Sequence, residues 1–282
     1  MLIYYRKACD NNMDQSERLI YLIKALLDED DAYRGLVIPD SLRDRERLLR
    51  SLMNVRMPKD ITEEFLKVQD EYLRNEATER GIVEISEIST LAEEYPGSSL
   101  PFKHKLSIWQ GDITRLRADA IVNAANKEML GCFAPCHGCI DNAIHSAAGI
   151  QLRNECHRMM LDQEHDEGTG TAKITGAYNL PSRHVIHTVG PIVRSMLTQA
   201  LEDDLRSSYL SCLMCAADNG VRSVAFCCIS TGEYNFPNER AAEIAFEAVI
   251  HFLKKNGGKF DRVIFNVFKD EDLEIYRNIA SA

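Results

Sequence analysis

Apolar positions along the chain follow two rhythms. In the first hundred residues they recur at helical spacing. Leu19, Leu22, Ile23 and Leu26 fall on one face behind Asp14, with Glu17 placed for a capping box. Pro39-Asp40-Ser41 can start a second helix carrying Leu42, Leu48, Leu49 and Leu52. Asp60 and Glu63 cap a third, with Phe65, Val68 and Tyr72 turned inward, and Pro96-Gly97-Ser98-Ser99 reads as a linker. From about residue 104 short apolar runs alternate with helical patterns. Ala120-Ile121-Val122, Val185-Ile186-His187, Val224-Ala225-Phe226 and Val263-Ile264-Phe265 predict buried strands. Helices are predicted near 140–162, 198–219, 238–255 and 270–280. Such alternation means an α/β fold, a largely parallel sheet flanked by helices. The expected division is a helical N-terminal extension over 1–100 and an α/β unit over 101–282. Ligands of such sheets bind at the carboxyl ends of the strands, so the loops there should carry the chemistry.

Charge and cysteine usage narrow the function classes. The 282 residues hold 33 Lys+Arg against 43 Asp+Glu, a formal charge of -10. The first hundred residues account for 14 basic and 21 acidic residues, leaving the remainder nearer neutrality. An acidic chain is a poor general binder of polyanions, which argues against nucleic acid as a partner. No apolar run approaches the roughly 18 residues of a membrane span. The N-terminal stretch MLIYYRKACDNN lacks the apolar core of a signal peptide. With nine cysteines, an odd number, this predicts free thiols and a cytoplasmic protein.

Four loops hold residue types suited to a ligand. Gly111-Asp112-Ile113-Thr114 places a carboxylate where it could accept from an exocyclic amine such as adenine's, or merely cap a turn. Asn123-Ala124-Ala125-Asn126, at a strand end, can project two amides onto a ligand. In Gly131–His145, Cys132, His137 and Cys139 form a Cys-x4-His-x-Cys spacing. Two thiolates and an imidazole suit zinc and leave a fourth position open, as in catalytic sites. Cys136 competes for the same role, and a loop of buried thiols with an ordinary histidine is the plain alternative. Ser230-Thr231-Gly232-Glu233-Tyr234-Asn235-Phe236-Pro237 leads from a strand into a helix. Its backbone N–H groups could hold a phosphate, with Tyr234 or Phe236 over a ribose or base. His145, His184 and His187 sit in apolar runs and read as core or supporting residues.

Taken together, GDIT, IVNAAN, CIDNAIHSAAG, GTAKITGAYNLP, VIHTVGP and CISTGEYNFP occur in the order seen in macrodomains, which bind ADP-ribose. The resemblance covers about 104–280. Macrodomains usually carry glycines after the Asn-Ala-Ala-Asn element, where this chain has LGCFAPCHGC. That departure resembles the zinc-dependent macrodomains, which are protein mono-ADP-ribosyl hydrolases. The similarity continues into the leader through VQDEYL.

The resemblance implies a three-layer α/β/α fold with a mixed, largely parallel sheet behind the helical extension. It implies zinc on Cys132, His137 and Cys139, and adenine on Asp112 with the backbone of Ile113. The Asn123 and Asn126 pair would meet the ADP-ribose, with Asn126 on the distal ribose. Ser230, Thr231, Gly232, Glu233 and Tyr234 would hold the diphosphate. Asp141 takes the place of an aspartate that some hydrolytic macrodomains use near the scissile bond, either in catalysis or in positioning the metal loop. Relatives of this type are often encoded with a sirtuin-like ADP-ribosyltransferase and a lipoyl carrier protein resembling the glycine-cleavage H protein. A mono-ADP-ribosylated carrier is therefore the implied substrate and ADP-ribose the product. The alternative is an ADP-ribose reader without turnover. A phosphatase acting on ADP-ribose monophosphate is a further option, and a zinc module for nucleic acid fits the charge poorly.

Overall fold

The structure, a computed structural model, describes residues 13–282. MLIYYRKACDNN, residues 1–12 and including Cys9, lies outside the described residues. Helix α1 (Gln15–Asp28) opens on the expected box. Glu17 N–H donates to the Asp14 carboxylate at 2.8 Å, and Asp14 N–H donates to Glu17 at 3.1 Å. Helix α2 (Leu42–Val55) begins at Ser41, whose hydroxyl accepts from Asp44 N–H. Helix α3 (Glu63–Glu79) is capped by Thr62 rather than Asp60. The Thr62 hydroxyl accepts from Phe65 N–H at 3.2 Å from extended backbone, the geometry of a cap. Leu42 also departs from expectation, being 57% exposed, because α2 turns Leu49, Leu52 and Met53 inward along its later turns. Leu19, Leu22, Ile23, Leu49, Leu52, Phe65, Val68 and Tyr72 make one core for the extension.

That core closes on the second unit through Ile150. Two short elements join the parts: β1 (Val83–Glu84) and α4 (Leu91–Glu94), whose Leu91 belongs to the larger core. The unit then runs β2 (Leu106–Gln110), β3 (Leu116–Arg117), β4 (Ala120–Ala124), α5 (Ile140–Ala148), α6 (Ile150–Gln163), β5 (Ala172–Gly176) and β6 (His184–Thr188). It finishes with α7 (Gln199–Asp218), β7 (Ser223–Phe226), α8 (Asn238–Asn256), β8 (Arg262–Val267) and α9 (Asp270–Ser281). Six strands pair in the order β2-β8-β7-β4-β6-β5, while β1 pairs with β3, Val83 opposite Leu116. Every neighbour in the large sheet is parallel except β5 on β6. Helices flank the sheet, giving the α/β/α layering and mixed, mostly parallel sheet expected.

The helical pattern predicted over 140–162 is two helices, not one. Gly149 breaks it at φ 95°, a left-handed conformation that favours glycine. A Cβ there would stand 2.6 Å from Gln69 Nε2 of α3. Gln69 and Asp70, from the VQDEYL stretch, explain this approach. Gln69 accepts from Ile150 N–H, and Asp70 accepts from the Gln151 and Asn179 amides. The extension is thereby hydrogen-bonded onto the break between α5 and α6. No helix among the described residues is long and apolar enough to cross a membrane.

Candidate active site and metal-ligand cluster

The carboxyl ends of β2, β4, β6, β7 and β8 all open toward one edge of the sheet, as parallel strands require. After β2, Asp112 starts a 3-10 turn of which Ile113, buried, is the first residue. Its Oδ1 accepts from Thr114 N–H and Oγ1 at 2.9 and 2.7 Å. So the capping role holds, yet Oδ2 faces outward, 3.3 Å from Arg80 Nη1 at the end of α3. Phe268, following β8, lies beside this turn: Gly111 N–H donates to Val267 O and the Gln110 amide to Phe268 O. Its ring is 74% exposed. An apolar ring this exposed just past the carboxyl end of a parallel strand is placed where a ligand could cover it, and nothing in the sequence pattern marks it.

The two asparagines after β4 part company. Asn123 is fully buried. Its Nδ2 donates to Asp141 Oδ1 at 2.8 Å and lies 3.1 Å from His187 Nδ1, so its amide nitrogen is engaged inward, while its Oδ1 has no partner among the described residues. The strand alternation forces this, since Asn123 belongs to β4 proper and points into the helix layer. Asn126 has left the strand. Its Nδ2 donates to Gly131 O at 3.1 Å, and its Oδ1 is buried with no partner among the described residues. An orphaned acceptor of this kind calls for a donor from a ligand or water.

Asp141 is likewise buried, with Asn123 on one side and His145 Nε2 3.5 Å away. Burial pushes its carboxyl up to about 6, against the opposing pull of the Asn123 amide and the Arg153 guanidinium. It lies in the first turn of α5 and does not reach open space.

Cys132, His137 and Cys139 do converge: their ligand atoms lie within 4.8 Å of one another. Cys132 Sγ and His137 Nδ1 are 3.6 Å apart. Tetrahedral zinc with usual bond lengths separates sulfur and nitrogen by about 3.6 Å, so the set fits that ion. Cys139 also caps α5, its Sγ accepting from Asn142 N–H at 3.4 Å. Burial first, then the neighbouring Cys132 and Asp141, pushes its thiol up to about 12. Cys136 does not compete. Its Sγ turns to α2, 3.3 Å from Ser51 Oγ and 3.5 Å from Arg47 O. Gly131, at φ 77°, brings its backbone against the His145 ring, which a Cβ would meet at 2.8 Å.

A second group, His145, Cys156 and His187, is also close-set but fully buried. With Asn123 donating to Nδ1, His187 carries its proton on Nε2 and donates to Thr175 Oγ1 at 2.9 Å. Burial drives both histidines toward neutrality, His187 to about 4. These are packed core groups, as their apolar runs suggested.

After β7 the chain turns sharply at Ser230, φ 66°, and Asn235, φ 55°. Ser230 Oγ is buried and unpartnered among the described residues. Gly190 after β6 abuts it, and a Cβ there would overlap the hydroxyl. Thr231 folds its hydroxyl back to Cys228 O, Gly232 accepts from Asn235 N–H, and Tyr234 O accepts from Val193 N–H. Tyr234 is half-buried at the rim, whereas Phe236 is sunk in the core and cannot cover a ribose or base. Glu233 reaches across so that its Oε1 lies 3.5 Å from His137 Nε2, joining this turn to the metal loop.

Comparison with known proteins agrees with this arrangement. The Macro domain family matches residues 122–245. A protein-ADP-ribose hydrolase of Treponema medium is 48% identical over 269 residues, covering 95% of this chain and 100% of that protein. The Staphylococcus aureus (strain MRSA252) protein of the same name is 41% identical over 261 residues, covering 92% of this chain and 94% of its own. The solved Trypanosoma brucei macrodomain in complex with ADP matches with TM-score 0.63 at 29% identity, covering 83% of this chain and 96% of that one. Fold, loop order and near-complete coverage coincide. The chain belongs to the macrodomain family.

Proposed function

We propose that this chain hydrolyses the bond between mono-ADP-ribose and a protein side chain, with zinc held by Cys132, His137 and Cys139. The observation that carries the proposal is one of position. The three ligands stand on the loop that starts at Asn126 and touch the Ser230–Tyr234 turn through Glu233. A bare ADP-ribose reader needs the turns but leaves this cluster without a role. The hydrolase relatives speak for the same reaction.

Cys132, His137 and Cys139 would hold the zinc, which when bound would supply Lewis-acid chemistry to the reacting sugar or water. The chain's own residues do the rest. Asp112 Oδ2 accepts from the adenine amine with Ile113 backbone alongside, and the Phe268 ring offers the base a flat face. Backbone N–H groups of Ser230, Thr231, Gly232, Glu233 and Tyr234 hold the diphosphate, so a net charge of -10 is no obstacle. Asn126 Oδ1 accepts from a distal ribose hydroxyl, which fixes the anomeric carbon against the metal loop. Water then adds to that carbon as its bond to the side chain breaks, leaving free ADP-ribose and the restored protein. Asp141 and Asn123 act behind the loop, holding its floor.

The implied substrate is a mono-ADP-ribosylated lipoyl carrier resembling the glycine-cleavage H protein. Purified protein incubated with such a carrier should release ADP-ribose and unmodified carrier. Saturable ADP-ribose binding with no release on long incubation would make the chain a reader instead.

A further inference from the structure

Among the described residues the helical extension contributes no member of the Cys132, His137 and Cys139 cluster, yet it reaches that loop at several points. We propose that the extension is part of the metal site: Arg50 and Asn54 of α2, together with Arg153 of α6, are positioning residues that hold the loop in its ligand-ready shape. This rests on the zinc reading above.

The loop from Leu130 to Cys139 has no regular structure of its own, and its shape is unfavourable in isolation. Met129 and Cys136 both sit at positive φ, 62° and 52°, which non-glycine residues adopt reluctantly. Beyond the His137 N–H to Ala134 O bond within it, the loop is held by bonds from outside. Arg50 Nη2 donates to His137 O at 3.2 Å and to Asn142 Oδ1 at 2.6 Å. Asn142, so oriented, donates to Ala134 O at 2.9 Å. Asn54 Oδ1 accepts from the strained Cys136 N–H at 2.9 Å, and its amide donates to Ser146 on α5.

Arg153 links the two sides. Its Nε donates to Leu130 O at 2.7 Å and Nη2 to Cys132 O at 3.3 Å, with the guanidinium 4.2 Å over the Phe133 ring. Its Nη1 turns the other way, to the carbonyls of Met53, Asn54 and Arg56 that end α2. One buried cation therefore caps the C-terminus of α2 and grips the carbonyl of a metal ligand. A loop already held this way forfeits less freedom on closing round an ion, so affinity should depend on residues that never touch it.

The test uses Arg50→Met, which keeps the stem on a half-buried helix face, and Arg50→Lys, which restores one donor. Zinc affinity is read by competition with a chromogenic chelator, and ADP-ribose binding by calorimetry on the metal-free proteins. The expected result is one zinc per wild-type chain. Arg50→Met should bind zinc about tenfold to 100-fold more weakly, with Arg50→Lys between. ADP-ribose affinity should change far less than zinc affinity, because the Asp112 and Ser230 turns that hold the adenine and the diphosphate do not contact Arg50. Equal zinc affinity in wild type and Arg50→Met overturns the inference. Parallel loss of zinc and ADP-ribose binding overturns it too, since Arg50 would then merely support the fold. A wild type that binds no zinc fails the zinc reading itself.

Discussion

Arg153→Met isolates the cost of removing the seam between extension and metal loop. Arg153 is almost completely buried and, though burial lowers its pKa to about 10, it remains charged at neutral pH. Its fork serves the carbonyls of Met53, Asn54, Arg56, Leu130 and Cys132. Methionine fills the stem's volume but donates nothing. A hydrogen bond from a charged group contributes about 1.5–3 kcal/mol, so a simple sum would exceed 7. Two corrections reduce it. The three acceptors of Nη1 share two protons, and removing a buried cation recovers several kcal/mol of desolvation. The expected loss is therefore about 3–5 kcal/mol, within the range for breaking a buried ionic network. For a chain this long that corresponds to a fall in melting temperature of about 5–8 °C. Urea unfolding of the metal-free protein checks it without interference from zinc. A loss below about 1 kcal/mol at unchanged m-value would refute the assignment of Arg153 as a clamp.

Other consequences follow from the same geometry. Gly131→Ala drives a methyl into the His145 ring and forces alanine to φ 77°. It should destabilise by about 1–3 kcal/mol in thermal unfolding and lower zinc occupancy measured by atomic emission. Asp112→Ala should weaken ADP-ribose binding about tenfold or more in calorimetry while zinc content stays at one per chain. The acid limb of stability should carry a signature of His187, which faces Asn123, Thr175, Cys156 and His145. Its folded pKa, about 4, lies below the unfolded value near 6.5. Above pH 6.5 it is neutral in both states and contributes nothing. As pH falls toward 4 the unfolded chain gains the proton first, so stability drops by about 1.4 kcal/mol per unit. His187→Gln should flatten that limb in unfolding titrations, and an unaltered slope would show that the histidine is not held neutral.

Which features were legible in the chain depends on how far apart the interacting residues stand. The Asp14–Glu17 box and the Cys132, His137, Cys139 spacing are local: the box forms, and the three side chains come within 4.8 Å of one another. Local signals also failed where two residues could serve one role. Thr62 displaced Asp60 because its hydroxyl stands three residues before a free N–H. Gly149 was hidden inside an apolar periodicity that continues on both sides of it. Asn123 and Phe236 are both buried, which their loop sequences do not reveal because burial is decided by the layers that pack over them. The clamp was out of reach. Arg50 meets Asn142, and Arg153 meets Met53, across roughly ninety to a hundred residues of chain, and no periodicity encodes such pairs.

The most direct test of the central claim compares wild type and Cys139→Ala on one mono-ADP-ribosylated carrier, each with zinc and after chelation. The account predicts ADP-ribose release by the zinc-loaded wild type, its loss on chelation and its return with added zinc, and no release by Cys139→Ala under any condition. Release by the metal-free wild type or by Cys139→Ala at the full rate would contradict it.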